Sequence, residues 1–148
     1  MQMSIELRRR NEAVHFEAKN DEENTVLIDG SPKAGGQGLG FRPMELLLAA
    51  IGSCASMDVV PILAKQRQQL DDIRVTVSGE RSDGEPSPFT SITLHFDLFG
   101  HVDSGAAQRA LDLAVHKYCS VGAMLQSTAD VSWTMRIHGT APDEESQR

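Results

Sequence analysis

A long apolar segment in the first half of the chain is the feature that most restricts the fold. Residues 46–51 are apolar on every side of a helix, and Pro43 just before them is favoured at a first helical position. The pattern predicts a helix from Pro43 to about Gln69, kinked or divided at Pro61. Because a helix that is apolar all round needs cover on all sides, we expect it at a domain centre or an oligomer interface.

Composition and charge narrow the class of protein. The 148 residues predict one soluble domain, 1–148, and the formal charge of −7 argues against nucleic acid or anionic membrane partners. The apolar run from Leu46 to Met57 is shorter than the about 20 residues that cross a bilayer. The first fifteen residues carry no apolar core of a signal peptide, so we expect a cytoplasmic location with reduced thiols.

Short strands and helices alternate along the rest of the chain. Strands are predicted at residues 5–10, 13–18, 25–29, 73–80, 92–99 and 130–138, and helices at 104–116, capped by Ser104, and 120–126. The Gly-rich segment 30–40 lacks the order of a phosphate-binding loop and is predicted to be a surface loop. The polar tail from Ala141 is expected to fray. This order defines an α+β domain without internal repeats.

The two cysteines, Cys54 and Cys119, are far apart in the sequence, and each lies in or beside a helical segment. From the residues alone, plain core packing is the more frequent role of such cysteines. The alternative is a redox pair, which needs Cα atoms within about 7 Å of each other. The five histidines show no spacing typical of a metal site.

The segments around both cysteines resemble a known family. The run from Pro43 to Cys54 is similar to the first-cysteine helix of the OsmC/Ohr superfamily, the osmotically induced and organic hydroperoxide resistance proteins. Residues 112–121, with Lys-Tyr-Cys-Ser-Val around Cys119, resemble the second-cysteine segment. The residues of both segments are most similar to those of the YhfA-like branch, and the resemblance covers nearly the whole chain.

The resemblance implies a fold, an assembly and a chemistry. The fold would be antiparallel β-sheets wrapped around two central helices in an intertwined homodimer, with active sites at the dimer interface. The chemistry would be the thiol-dependent reduction of organic hydroperoxides: Cys54 attacks, Cys119 resolves, and an external dithiol returns the electrons. The resemblance implies no metal, haem or flavin cofactor. The apolar surroundings of Cys54 favour alkyl hydroperoxides over hydrogen peroxide.

Two further site residues are implied by the resemblance. The family activates its attacking cysteine with an Arg from the early strands, which a Glu positions. Arg8, Arg9, Arg10 and Arg42 compete for the first role, and Arg10 is favoured. The Glu normally follows the Pro directly, where this chain has Met44, and Glu45 comes one residue later. At about 100° per residue, an ideal helix turns Glu45 to the side opposite Cys54.

A second function fits the same residues. The chain could be a non-catalytic protein of this fold that binds a small apolar ligand at the dimer interface, or a slow redox sensor. The separation of the two sulfurs, and a guanidinium beside Cys54, would distinguish these alternatives from the peroxidase.

Overall fold

A computed structural model describes residues 1–139 of the protein, and the predicted frayed tail lies outside the described residues. The chain divides into two compact units, Met1–Leu47 and a second one that begins at Leu48. The prediction of a single domain stays a prediction.

The first unit contains a three-stranded antiparallel meander in the order β1 (Glu6–Arg9), β2 (Phe16–Lys19) and β3 (Thr25–Ile28). The second strand begins later than predicted. The reason is Asn11, whose side-chain oxygen accepts the backbone N–H groups of Ala13 at 2.9 Å and His15 at 3.2 Å. This side-chain bonding holds the connection as a turn, as Asn side chains often do.

Asp29 organises the Gly-rich loop that follows β3. The residue is 2% exposed, and its carboxylate accepts backbone N–H groups from Gly30 at 2.8 Å, Gln37 at 3.0 Å and Leu39 at 3.0 Å. These hydrogen bonds, led by the one from Gln37, hold the pKa of Asp29 below its ordinary value. The loop is therefore tied to one buried side chain, although its glycines alone predict only a flexible surface segment.

Helix α1 (Pro43–Lys65) is continuous and contains Pro61 within its last turns. Of the two outcomes predicted at Pro61, the division of the helix is wrong: Pro removes only one backbone donor, and here the helix runs one turn beyond it. The kink stays a prediction. Residues at four-residue spacing form its buried side, namely Ile51, Ala55, Val59 and Leu63. The opposite side is exposed in the single chain, with Met57 at 73% and Val60 at 45%.

The exposed side of α1 raises the question whether this helix could span a membrane. Its 23 residues include an 18-residue window of mean hydropathy 2.0, so length and composition alone would allow a membrane span. This single helix is weak evidence for a span, because the core helix of a soluble protein passes the same test. Of that window, 28% is buried inside the chain, where α1 covers apolar side chains of the second sheet.

The second unit is built on a sheet in the order β4 (Gln69–Arg81), β5 (Phe89–His101) and β6 (Asp130–His138). β4 and β5 form the predicted long hairpin, and β6 has the predicted bounds. The expectation of purely antiparallel sheets is wrong for β6, which pairs with β5 in parallel. The helical segment between β5 and β6 returns the chain to the starting end of β5, which a parallel pair requires.

One face of this sheet forms the core of the second unit. Val77, Leu94 and Trp133 lie side by side in register across the three strands. On β5, the inward residues of the alternating pattern are fully buried: Ile92, Leu94, Phe96 and Leu98. The outward face is polar, and there the Nε2 atom of His138 lies 2.8 Å from the Asp97 carboxylate. The alternation predicted from the sequence is thus confirmed as an inside–outside pattern.

The connection from β5 to β6 contains three consecutive helical pieces. α2 (Ser104–Leu113) continues into a π-helical turn over Ala114–Tyr118, and α3 (Ser120–Leu125) follows. The predicted cap of α2, Ser104, is wrong by one residue: the Asp103 carboxylate accepts the N–H of Ala106 at 2.9 Å. Asp suits that position as well as Ser does, and its negative charge is also favoured at the start of a helix.

Candidate active site

Cys54 lies half-buried in the middle of α1. Two residues earlier, Gly52 is buried against β4, where an added Cβ atom would lie 2.7 Å from Cγ2 of Val77. Real Cβ atoms almost never come that close to another heavy atom. The absence of a side chain at Gly52 therefore sets how closely the Cys54 segment approaches the sheet.

Cys119 is placed by the π-helical turn. Its backbone N–H donates to the Ala114 carbonyl at 3.0 Å, which closes the turn five residues back. The chain then turns out of the helix, and Cys119 becomes the N-cap of α3, with its sulfur accepting the Gly122 N–H at 3.2 Å. Single π-helical turns of this kind are often found at functional sites.

The structure brings the two cysteines together. Both thiols are free, and the Cys119 thiol faces the Ile51 carbonyl on α1, with 4.0 Å between sulfur and oxygen. Only 3% of Cys119 is exposed. Burial, and next the neighbouring Cys54 thiol, raise the pKa of Cys119 from 9.0 to about 11. The pair therefore combines a half-buried thiol with a deeply buried one that stays protonated at neutral pH.

Glu45 has a structural partner at the start of α1. Its carboxylate accepts the backbone N–H of Arg42 at 3.1 Å, and the Arg42 guanidinium lies 3.9 Å away. Because Pro43 is the first helical residue, Glu45 is the third and reaches back to the capping position, as in one half of a capping box. Glu45 thus contributes to the start of the helix, in addition to any chemical role.

Arg10 is exposed just beyond the end of β1, and its backbone N–H donates to the His15 carbonyl at 2.7 Å. Its neighbour Arg9 instead folds back on the turn, with its Nε donating to the Ala13 carbonyl at 2.7 Å. Arg8 forms an ion pair with Glu6 at 2.8 Å. Of the three arginines, Arg8 and Arg9 are engaged locally, so Arg10 stays the favoured candidate of the early strands.

The sequence did not predict the feature that places Cys119. Residues 104–116 were predicted as a regular helix, whereas the last turns widen into a π-helix that ends at Tyr118. No local signal marks the change, because Ala114, Val115 and Tyr118 continue the apolar spacing of α2. Among residues 1–139, no group of three or more His, Cys, Asp or Glu side chains is arranged to hold a metal ion.

Comparison with known proteins identifies the family to which the chain belongs. Residues 35–134 match the family model of OsmC-like proteins. The chain therefore belongs to the OsmC family. Protein YhfA of Escherichia coli strain K12 is 35% identical over 127 residues, which cover 85% of this chain and 92% of that relative. The resemblance of the two cysteine segments to this family, and to its YhfA-like branch, is thereby confirmed.

Solved structures have the same fold. A hypothetical protein from Aquifex aeolicus VF5 is 32% identical, with a TM-score of 0.77 over 93% of this chain and 98% of that chain. An organic hydroperoxide resistance protein OsmC from Legionella pneumophila is 15% identical, with a TM-score of 0.70 over 91% and 96%. At that identity the second likeness concerns the fold alone. The α+β, OsmC-like fold class is confirmed.

Proposed function

We propose that this protein is a thiol peroxidase that reduces organic hydroperoxides through Cys54 and Cys119. The observation that carries the proposal is that two free thiols of unequal exposure are neighbours: the Cys54 thiol contributes to the raised pKa of Cys119, whose sulfur faces the Ile51 carbonyl on α1. Some neighbours of the same fold are named organic hydroperoxide resistance proteins, which supports this direction. We further propose that the protein acts in the cytoplasm, where reduced thiols persist.

The cycle begins at Cys54. Its thiolate attacks one oxygen of the hydroperoxide, the O–O bond breaks, and the other oxygen leaves as the alcohol after taking up a proton. Cys54 is then a sulfenic acid, and the Cys119 thiol condenses with it to a disulfide as water leaves. An external dithiol, supplying two thiol equivalents, reduces this disulfide. Because Cys119 is buried and neutral, it cannot compete with Cys54 for the peroxide.

Activation of Cys54 is assigned to Arg10 and Glu45, as the family resemblance implies. The variant Glu45→Gln separates chemistry from capping, because the amide oxygen can still accept the Arg42 N–H while the charge is lost. If Glu45 acts in the chemistry, Glu45→Gln lowers the rate of peroxide reduction without lowering the melting temperature. If it acts only as a cap, Glu45→Ala lowers the melting temperature and Glu45→Gln changes neither quantity.

The test of the peroxidase is a stopped-flow measurement with cumene hydroperoxide and with hydrogen peroxide. We expect faster reaction with the organic hydroperoxide and the loss of both free thiols per turnover. Cys54→Ser should abolish the reaction, whereas Cys119→Ser should stop after one turnover with a sulfenic acid that dimedone traps. Unchanged thiol content after excess peroxide would refute the peroxidase and favour the ligand-binding alternative.

We also propose a homodimer formed through the open side of α1. Met57 and Val60 are apolar side chains that are exposed there, and a second copy of the same helix would supply a matching apolar face. Light scattering with size-exclusion chromatography should give twice the chain mass of 16.1 kDa. Met57→Glu should lower that mass to the monomer, while Met124→Glu, exposed on α3, serves as the matched control.

A further inference from the structure

The π-helical turn before Cys119 takes the usual donor away from one backbone carbonyl. In a regular α-helix the Cys119 N–H would donate to the carbonyl of Val115, four residues earlier. Here it donates to the Ala114 carbonyl, five residues earlier. Val115 is buried, and its carbonyl accepts a side-chain donor in place of the lost one, the Nε2 atom of Gln126 at 3.2 Å. The turn that places Cys119 is therefore linked to the end of α3.

Gly122 leaves the room that this link needs. It is buried, and an added Cβ atom would lie 3.0 Å from the Val115 carbonyl oxygen and 3.4 Å from both Cβ of Cys119 and Nε2 of Gln126. The N–H of Gly122 also donates to the Cys119 sulfur at 3.2 Å. The carbonyl, the Gln126 amide and Cys119 thus converge on one residue that has no side chain.

Gln126 can be changed without disturbing the core. It is an exposed residue at the C-terminal end of α3, and its backbone N–H donates to the Gly122 carbonyl at 2.8 Å. The backbone of residue 126 is therefore held by the helix and not by the side chain. A substitution there removes one hydrogen bond to the π-helical turn and opens no cavity.

We propose that Gln126 is a positioning residue for disulfide closure: by bonding the Val115 carbonyl, it keeps that carbonyl from recapturing the Cys119 N–H and so holds the Cys119 sulfur towards α1. The inference rests on the proposed peroxidase cycle, whose second step it concerns. In that step the Cys119 sulfur attacks the sulfur of the Cys54 sulfenic acid, the S–S bond forms, the S–O bond breaks, and the hydroxyl group leaves as water with the proton of Cys119. Gln126 takes no part in this exchange and acts only through the turn.

The variant Gln126→Met tests the role, because it keeps the length of the side chain and removes the donor. The rate of disulfide closure after a cumene hydroperoxide pulse should fall about three- to tenfold, as for the loss of one hydrogen bond. The rate of sulfenic acid formation, measured by dimedone trapping in the Cys119→Ser background, should not change. Gln108→Met, at an exposed position of α2, is the matched control and should leave both rates as in the wild type.

The variant Gln126→Glu adds a readout that a general loss of structure would not move. At neutral pH the introduced carboxylate cannot donate, so closure should be as slow as in Gln126→Met. Below the ordinary pKa of a glutamic acid, about 4.3, the carboxylic acid can donate again. The closure rate relative to the wild type at the same pH should therefore recover in Gln126→Glu and stay low in Gln126→Met.

Diamide separates this inference from the peroxidase, because it oxidises two thiols to a disulfide without a peroxide and is itself reduced to the hydrazine. Closure at saturating diamide should also be slower in Gln126→Met. An unchanged closure rate with both oxidants would overturn the role of Gln126 and leave peroxide-dependent thiol loss as evidence for the peroxidase. Equal slowing of sulfenic acid formation and closure would overturn it as well. Slower closure with diamide, in a protein whose thiols do not react with cumene hydroperoxide, would support the placement of Cys119 by Gln126 and refute the peroxidase.

Discussion

Substitution of Gly52 by Ala tests whether the close approach of α1 to β4 is a structural requirement. The Ala methyl group would lie 2.7 Å from Cγ2 of Val77 and 3.9 Å from Cγ1 of Val75. The first contact is far inside van der Waals distance, and the valine side chain is too short and stiff to move aside. The helix, the strand or both must shift, and Cys54 shifts with the helix.

Two opposing contributions set the size of the effect. Ala is favoured over Gly inside a helix by about 0.5–1 kcal/mol. Forcing an extra methyl group into a packed contact costs about 1–3 kcal/mol. We therefore expect Gly52→Ala to lower the free energy of unfolding by about 0–2.5 kcal/mol, the difference between the two ranges. Removing the contacting atoms with Val77→Ala should leave only the helix preference, so that Gly52→Ala becomes stabilising by about 0.5–1 kcal/mol in that background.

The assay is urea unfolding of the wild type, the two single variants and the double variant. The change of sign between the two backgrounds is the decisive result, because a general loss of helix quality would not depend on Val77. An equal loss of stability from Gly52→Ala in both backgrounds would falsify the proposed contact. The rate of disulfide formation in the same four proteins would report whether the displaced helix still brings Cys54 to Cys119.

Three further predictions concern titrating groups. Cys119 should close the disulfide with oxidised Cys54 faster as the pH rises, because its pKa is raised to about 11. The rate should increase about tenfold per pH unit between pH 7 and 10. A rate independent of pH in stopped-flow fluorescence would contradict this prediction. Asp29→Asn should loosen the Gly-rich loop, which hydrogen exchange would show as faster exchange at Gln37 and Leu39, with Asp21→Asn as the control. In the wild type, the pKa of Asp29 is lowered, so the loop should lose this support only as the pH falls below 3.8. His138→Gln should raise the pKa of Asp97 towards its ordinary value in an NMR titration, since the hydrogen bond from His138 is the main cause of the lowered pKa. An unchanged titration would show that the bond is not formed in solution.

Much of the fold could be predicted because its signals are local. The alternation on β5 and β6 gave both strands and their inward faces, and Pro43 gave the start of α1. Parallel pairing of β6 was not predictable from alternation, because the period of two is the same for both pairings. The late start of β2 depends on one side chain, Asn11, whose hydrogen bonds no pattern reveals.

The candidate site, like the fold, could be predicted only where its signals are local. The cysteine segments were recognisable from sequence, but the depth of each thiol was not, because burial is decided by long-range packing. The π-helical turn before Cys119 lies within a stretch whose apolar period fits a regular helix. Likewise, the capping role of Glu45 depends on where the helix begins, and it becomes visible only when Pro43 is placed at the first helical position.

The unequal depth of the two thiols determines the order of the proposed chemistry. Cys119 is buried beneath α1 and protonated at neutral pH, so it reacts only after Cys54 has become an electrophile. Both properties depend on packing and not on the sequence neighbours of Cys119. Its thiol faces the Ile51 carbonyl on α1, and its burial there, followed by the neighbouring Cys54 thiol, raises its pKa. Substitutions at these contacts should therefore change the second step of the cycle more than the first.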